Sequence, residues 1–172
     1  MSREPKTPLP AFSHLDATGA ARMVDVSKKP VTRRVAAASC HVRMSRDTVA
    51  RLQQLPKGDA VAVARLAGIQ GAKATSMLVP LAHPLPLDQV EVELEPDAEG
   101  VRIRSMVVVT ARTGAEMEAL AACAAAALAL YDMVKAVERG AVITDLRLES
   151  KRGGARGPWQ RGGSPRDPES TP

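Results

Sequence analysis

Strict alternation of apolar and polar residues predicts a β-hairpin in the middle of the chain. Residues 90–95 read Val-Glu-Val-Glu-Leu-Glu, the period-two pattern of a strand with one buried face. Residues 97–100 provide the turn, and residues 101–104 resume the alternation before the apolar residues 107–109. Two strands joined by such a short turn are typical of an antiparallel hairpin.

Two further strands and a short helix are predicted outside the hairpin. Residues 31–44 place valines among small residues and suit a strand, and residues 142–148 suit a last one. Ser45 is a good N-cap residue for a short helix over residues 46–54, which Pro56 ends.

Two Ala-rich segments predict longer helices. The longer segment covers residues 115–138 and ends before Gly140, because glycine commonly follows the last helical turn. The other covers residues 60–78, and we expect it to form two helical pieces because Gly68 and Gly71 interrupt it.

Hairpin strands, a long helix and a final strand predict an α+β fold, with helices packed on one face of an antiparallel sheet. The folded domain should cover residues 12–151. Residues 1–11 and residues 152–172 are expected to be disordered tails. The second tail holds five Gly, four Pro and four Arg with Trp159 as its one large apolar side chain, a composition that buries too little surface to offset chain entropy.

Composition adds two constraints on function. The 172 residues include one Phe, one Trp and one Tyr, so the core must consist of small and aliphatic side chains. This scarcity argues against binding single-stranded RNA by base stacking. A formal net charge of +5 favours anionic partners.

The two cysteines, Cys40 and Cys123, form no Cys-x-x-Cys pattern. We expect them to be small buried hydrophobic residues in a reducing compartment. The N-terminus shows no apolar signal segment, and the longest apolar stretch, residues 119–131, is too short to span a bilayer. The sequence therefore predicts a cytoplasmic protein that does not enter a membrane.

His83 is the first residue with candidate chemistry. It stands between Pro80 and Pro84 in backbone that cannot be helical, so its imidazole should be held in a defined place. A structural histidine in a proline-rich turn is the alternative interpretation.

Carboxylates at both ends of the long helix are further candidates. Glu116 and Glu118 lie in the first turn, where the helix dipole already favours acidic residues. Asp132 lies near the opposite end, where the dipole disfavours it, and Lys135 follows three positions later on the same face. This pair is either a general acid/base group with its lysine or a surface ion pair.

Three lysines stand beside glycines or helix starts: Lys57, Lys73 and Lys151. Such positions suit a polyphosphate, because backbone N–H groups and ammonium groups both favour anions. The sequence contains no Walker loop and no Gly-x-Gly-x-x-Gly motif, which excludes the standard nucleotide-binding loops.

Taken together, these motifs resemble the cyclic pyranopterin monophosphate synthase family, the C proteins of molybdenum cofactor biosynthesis. The resemblance covers residues 12–154, essentially the whole folded unit. It is carried, in order, by Phe12-Ser13-His14-Leu15-Asp16, Met23-Val24-Asp25-Val26-Ser27, Lys57-Gly58-Asp59, residues 67–73, residues 80–85, residues 113–120, residues 131–137 and Lys151-Arg152-Gly153-Gly154. Many relatives have Cys where this chain has Ala82.

The resemblance implies a ferredoxin-like catalytic domain that assembles as a homohexamer, a trimer of dimers. It implies conversion of 3′,8-cyclo-7,8-dihydroguanosine 5′-triphosphate to cyclic pyranopterin monophosphate and pyrophosphate. Asp132 would be the catalytic acid/base, together with Lys135, Lys57 and His83. The substrate would be lined by Leu81, Ala82, His83, Met117, Glu118 and Glu116, and the cationic site completed by Lys73, Lys151 and Arg34.

No residue pattern requires a metal or another cofactor, although magnesium could accompany the triphosphate. Two other interpretations remain open at this point. A basic α+β module that binds nucleic acid without catalysis would explain the charge but not His83 or the Asp132 and Lys135 pair. An inactive paralogue would not explain why Asp132, Lys135 and Lys57 are all present.

Overall fold

The computed structural model describes residues 18–155 and 157–162, so the predicted N-terminal tail lies outside the described residues. The elements in chain order are β1 (Thr32–Arg43), α1 (Arg46–Val49), α2 (Ala60–Lys73), α3 (Thr75–Leu78), β2 (Leu87–Asp97), β3 (Gly100–Ala111), α4 (Glu116–Val134), β4 (Val142–Arg152) and β5 (Trp159–Gln160).

The strands form one antiparallel sheet with the order β2-β3-β1-β4-β5. Without β5, this is the order of a ferredoxin-like β-α-β-β-α-β fold, with α2 and α4 as its two helices. The predicted α+β class and ferredoxin-like sheet are therefore confirmed.

The core lies between the sheet and the two long helices. Alternate residues of β1, from Ala36 to Val42, are buried, as are Val101 and Ile103 of β3. Because buried positions alternate, one face of the sheet is covered, and α2 and α4 pack there against each other. Ala119 and Cys123 illustrate the small side chains on the buried side of α4, which let the helix lie close to the sheet.

Residues 60–78 form two helical pieces, α2 and α3, as predicted, but the predicted place of the break is wrong, because α2 runs through both glycines and ends at Lys73. These glycines are where α2 meets α4. A Cβ atom on Gly68 would lie 3.0 Å from the carbonyl oxygen of Ala122, and one on Gly71 would lie 2.8 Å from that of Ala121. Close helix contact outweighs the weak helix propensity of glycine.

The other predicted elements occur with shifted ends. Ser45 caps α1 by accepting a hydrogen bond from the Thr48 backbone, but α1 is only four residues long. Helix α4 ends at Val134 rather than at residue 138. The hairpin strands and β4 are longer than predicted, because main-chain pairing continues beyond the alternating residues.

The expectation that everything after residue 151 is a disordered tail is also wrong in part. Arg152 still belongs to β4, and β5 pairs with β4 through Lys151 opposite Trp159. The guanidinium of Arg161 lies 5.7 Å from the centre of the Trp159 ring. This cation–π contact helps to order a segment that has few apolar side chains. Arg156 and residues 163–172 lie outside the described residues.

Helix α4 is the one helix within the described ranges that is long and apolar enough to cross a membrane by length and composition alone. Half of it is buried inside the protein, and its buried residues form the centre of the core. Its apolar character is therefore explained by packing.

The contact between α2 and α4 generates a stability prediction. Gly71→Ala should lower the melting temperature, because overpacking of about 1–3 kcal/mol exceeds the gain in helix propensity of about 1 kcal/mol. Gly140→Ala is the matched control, since a Cβ there meets nothing within 4 Å. Thermal unfolding followed by circular dichroism checks both variants, and an unchanged or higher melting temperature for Gly71→Ala would contradict the packing argument.

Candidate active site

Asp132 lies between two ammonium groups at the C-terminal end of α4. Its Oδ2 atom is 2.6 Å from Nζ of Lys57, and its Oδ1 atom is 2.6 Å from Nζ of Lys135. Lys57 also donates to the backbone carbonyl of Asp132 at 3.0 Å. These contacts combine a local pair on one helix with a long-range pair across the two helices.

The turn before α2 brings Lys57 to this place. Gly58 follows with φ +100°, a left-handed conformation that glycine adopts at little cost. Asp59 then caps α2 by accepting hydrogen bonds from the backbone N–H groups of Val61 and Ala62. Lys57 is therefore held at the start of α2, which lies beside the end of α4.

The two lysines determine the charge state of Asp132. Hydrogen bonds from Lys135 and Lys57 lower the pKa of the Asp132 carboxyl to about 2. The group is therefore a carboxylate throughout the neutral range. All three side chains are about half exposed, so they are open to a ligand.

A second charged cluster lies at the other end of α4. Lys151 of β4 forms an ion pair with Glu116 at 3.1 Å. Arg34 of β1 donates to the backbone carbonyls of Ala111 and Arg112, both at 3.1 Å. The guanidinium of Arg34 is thus bound at the end of β3, and the ammonium of Lys151 is bound at the start of α4. Both cations lie at the same end of the sheet.

Glu118 is buried within this second cluster, with 3 % of its surface exposed. Loss of solvation raises the pKa of its carboxyl, and the neighbouring Glu116 raises it further. Glu118 is thus suited to keep a proton at a pH where ordinary glutamates have lost theirs. Met117, the preceding residue, is 41 % exposed and points away from the core.

The remaining predicted site residues lie toward this second end by topology. Helix α2 begins near Asp132, where Lys57 makes its contact, and runs antiparallel to α4. Lys73 is the last residue of α2 and therefore lies toward the start of α4. Leu81, Ala82 and His83 are half-buried in the segment before β2, and β2 starts opposite Val109 near the end of β3. Proline keeps this segment non-helical, as predicted.

The structure therefore divides the predicted site into two groups. Lys57, Asp132 and Lys135 form one group. Arg34, Lys73, Lys151, Glu116–Glu118 and residues 81–83 belong to the opposite end. The fourteen residues from Glu118 to Asp132 span ~21 Å along a helix axis, so one chain does not bring the two groups together.

A polar cleft of about 440 Å³ on the uncovered face of the sheet escaped the sequence analysis. His41 lines it, with Nε2 3.1 Å from Oδ2 of Asp97, and Arg102 approaches the same carboxylate at 3.6 Å. Successive side chains of β1 alternate between the two faces of the sheet, so His41 lies on the face that does not carry the buried Cys40. This alternation is the sequence signal that could have located the cleft. Its charges are largely paired with one another.

Within residues 18–155 and 157–162, no group of three or more His, Cys, Asp and Glu side chains is arranged to hold a metal ion. The two cysteines are buried, as predicted, where β1 packs on α4. Cys40 Sγ lies 3.6 Å from the carbonyl oxygen of Cys123.

Comparison with known proteins identifies relatives for almost the whole folded part of the chain. The sequence model of the MoaC family matches residues 23–154. A protein of Streptomyces avermitilis named cyclic pyranopterin monophosphate synthase is 54 % identical over 152 residues, which cover 87 % of this chain and 89 % of that protein. One of Nocardioides sp. with the same name is 54 % identical over 155 residues, covering 87 % of this chain and 95 % of the relative.

A more distant example is cyclic pyranopterin monophosphate synthase 2 of Mycobacterium tuberculosis. It is 50 % identical over 152 residues, covering 87 % of this chain and 91 % of that protein. The region that the family model matches, residues 23–154, includes both charged clusters at the ends of α4.

Burial of Glu118 predicts a pH-dependent stability difference. Because its pKa is raised in the folded state, ionisation opposes folding, and this penalty appears as the pH rises above the ordinary glutamate range. Glu118→Gln should therefore raise the melting temperature relative to the wild type, with a larger gain at pH 7 than at pH 4. Equal melting-temperature differences at the two pH values, measured by calorimetry, would show that the charge of Glu118 carries no such penalty.

Proposed function

The chain belongs to the MoaC family, and we propose that its activity is that of a cyclic pyranopterin monophosphate synthase in molybdenum cofactor biosynthesis. The substrate is 3′,8-cyclo-7,8-dihydroguanosine 5′-triphosphate, and the products are cyclic pyranopterin monophosphate and pyrophosphate. The observation that carries this proposal is the Asp132 carboxylate held between Lys57 and Lys135, in a chain about half identical to named synthases.

The rearrangement of a guanine-derived ring into a pterin requires protons to move at several nitrogen and oxygen atoms. The side chains of Lys57 and Lys135 are both about half exposed and within reach of a ligand, and we propose that they exchange protons with the substrate. A carboxyl group with a pKa of about 2 is a poor proton carrier near pH 7, since general acids and bases work best when their pKa is near the working pH. Asp132 therefore holds and orients the two lysines.

The opposite end of α4 suits the triphosphate. Lys151 and Arg34 provide two cations there, and Lys73 ends α2 on the same side. Closing the cyclic phosphate expels pyrophosphate, and fixed cations stabilise the negative charge that grows on it. Glu118 and His83 complete this end as groups that can donate or accept a proton.

A second copy of the chain is needed to unite the two groups. Met117, Ala121, Ala124, Leu128 and Asp132 follow one another at spacings of four, three, four and four residues, so they share one stripe of α4. Met117 and Leu128 are 41 % and 62 % exposed. The stripe is apolar apart from its last member.

The stripe is symmetric about a point between Ala124 and Ala125. Two antiparallel α4 helices related by a two-fold axis at that point place Met117 of one protomer opposite Asp132 of the other, and Ala121 opposite Leu128. Small and large side chains then face each other. Such an isologous contact creates two equivalent composite sites per dimer.

We further propose, because the family resemblance implies it, that such dimers assemble into a homohexamer in the cytoplasm that acts on a small molecule without nucleic acid or membrane. The relatives are named as synthases, which favours the enzyme over a basic nucleic-acid-binding module. Catalysis uses the side chains alone, with magnesium at most accompanying the triphosphate.

Direct assay tests the activity. The purified protein, incubated with the cyclic GTP-derived substrate, should release pyrophosphate and yield the pterin, both followed by mass spectrometry. Substrate that remains unchanged with folded protein would contradict the proposed function.

Asp132→Asn should keep the fold and lower turnover by about 10²–10⁴-fold, the usual contribution of general acid–base catalysis, because Lys57 and Lys135 lose the carboxylate that positions them for proton transfer. Asn is nearly isosteric, but it cannot hold two ammonium groups by charge. Circular dichroism establishes the fold and the product assay establishes the rate. Arg139→Gln, an exposed change near the same helix end, is the control and should retain wild-type turnover. Activity of Asp132→Asn within about threefold of wild type would contradict this role.

The composite site predicts complementation between inactive variants. Glu118→Ala and Asp132→Asn proteins, unfolded together and reassembled, should recover part of the wild-type activity, because a mixed dimer contains one site with both residues intact. Each variant reassembled alone is the control. Mixed oligomers detected by native mass spectrometry without recovered activity would contradict the shared site.

A further inference from the structure

We propose that the C-terminal hairpin, residues 153–155 and 157–161 including β5, is a positioning element for Lys151 and Arg34, with Trp159 and Arg161 acting through these two cations. The inference rests on the proposed function, which places both cations at the substrate's phosphate end. Trp159 and Arg161 are proposed to act through these cations and not on the reacting atoms of the substrate.

The hairpin turns the end of β4 into an interior strand. Lys151 pairs with Ala36 of β1 on one side and with Trp159 of β5 on the other. Without β5, this end of β4 would be a sheet edge with unpaired backbone groups. Pairing on both sides fixes the backbone from which the Lys151 side chain extends toward Glu116.

Arg161 fastens the hairpin to β4 just before Lys151. Its backbone N–H donates to the carbonyl oxygen of Glu149, and its Nε donates to that of Leu148, both at 2.8 Å. Its guanidinium lies 5.7 Å from the centre of the Trp159 ring. Arg161 therefore links β5 and the Trp159 ring to Leu148 and Glu149 of β4, close to Lys151.

The turn of the hairpin packs directly on the start of β1. Gly153 and Gly154 have φ +86° and +82°, so L side chains are disfavoured at both. A Cβ atom on Gly153 would meet the carbonyl oxygen of Arg33, and one on Gly154 would meet the Arg34 guanidinium. The Arg34 guanidinium thus packs against the turn on one side. On its other side it donates hydrogen bonds to the carbonyl oxygens of Ala111 and Arg112.

Positioning of this kind affects binding before it affects chemistry. Long lysine and arginine side chains lose rotamer entropy when they bind an anion, and a pre-ordered backbone and turn remove part of that cost in advance. Lys57, Asp132 and Lys135 lie at the other end of α4 from Lys151 and Arg34. Damage to the hairpin should therefore raise KM for the substrate, and any fall in kcat should accompany that rise, because the same cations stabilise the charge on the leaving pyrophosphate.

A double-mutant cycle tests the inference, with inorganic triphosphate as the probe. Binding is measured by titration calorimetry for the wild type, Trp159→Ala, Lys151→Met and the double variant, below the melting temperature of each. We expect Trp159→Ala to weaken binding by about five- to tenfold in the wild-type background and by less than about twofold in the Lys151→Met background. Trp159→Phe should restore most of the affinity, because it keeps the ring.

Val142→Ala is the matched control, an exposed valine at the far end of the same strand, and it should bind triphosphate as the wild type does. Equal losses from Trp159→Ala in both backgrounds would overturn the inference and assign Trp159 a purely structural role. A fall in kcat at unchanged KM would overturn it as well. Failure of the wild type to form the pterin would refute the proposed function separately, since the triphosphate cycle needs no turnover.

Discussion

The close contact between α2 and α4 at Gly68 and Gly71 is the constraint on which the rest of the structure depends. Only residues without a Cβ let the two helices approach until a glycine faces the backbone oxygen of the partner helix. This approach sets the start of α2 beside the end of α4, and there Lys57 reaches Asp132. A wider spacing would leave Asp132 with Lys135 alone, so helix packing supplies the second ammonium group of the site.

The same helix gives two carboxylates opposite properties. Asp132 is exposed between two ammonium groups, which lower its pKa to about 2. Glu118 is buried beside another glutamate, and its pKa is raised. The surroundings of each carboxyl, rather than its residue type, thus favour the charged form of Asp132 and the protonated form of Glu118. A reaction that moves several protons while it expels an anion needs both kinds of group.

The length of α4 is the reason for proposing an active unit larger than one chain. The nineteen-residue helix separates Asp132 and its two lysines from Lys151 and Arg34. Met117 and Leu128 of the stripe between the two groups are exposed. In the proposed dimer this stripe brings the two groups together, and the proposed role of the C-terminal hairpin is to keep the cations at the far end ordered.

The sequence by itself determined the hairpin, the long helix, the α+β class and the family, because each depends on local periodicity or on motifs whose order is preserved. It also predicted that Asp132 and Lys135 lie on one helical face, and the structure pairs them at 2.6 Å. Only the tertiary structure decided that α2 continues through its glycines, that Trp159 pairs with β4, and that the candidate residues lie in two groups. These facts depend on contacts between residues far apart in the chain, and local propensity contains no information on which helix or strand a residue will meet.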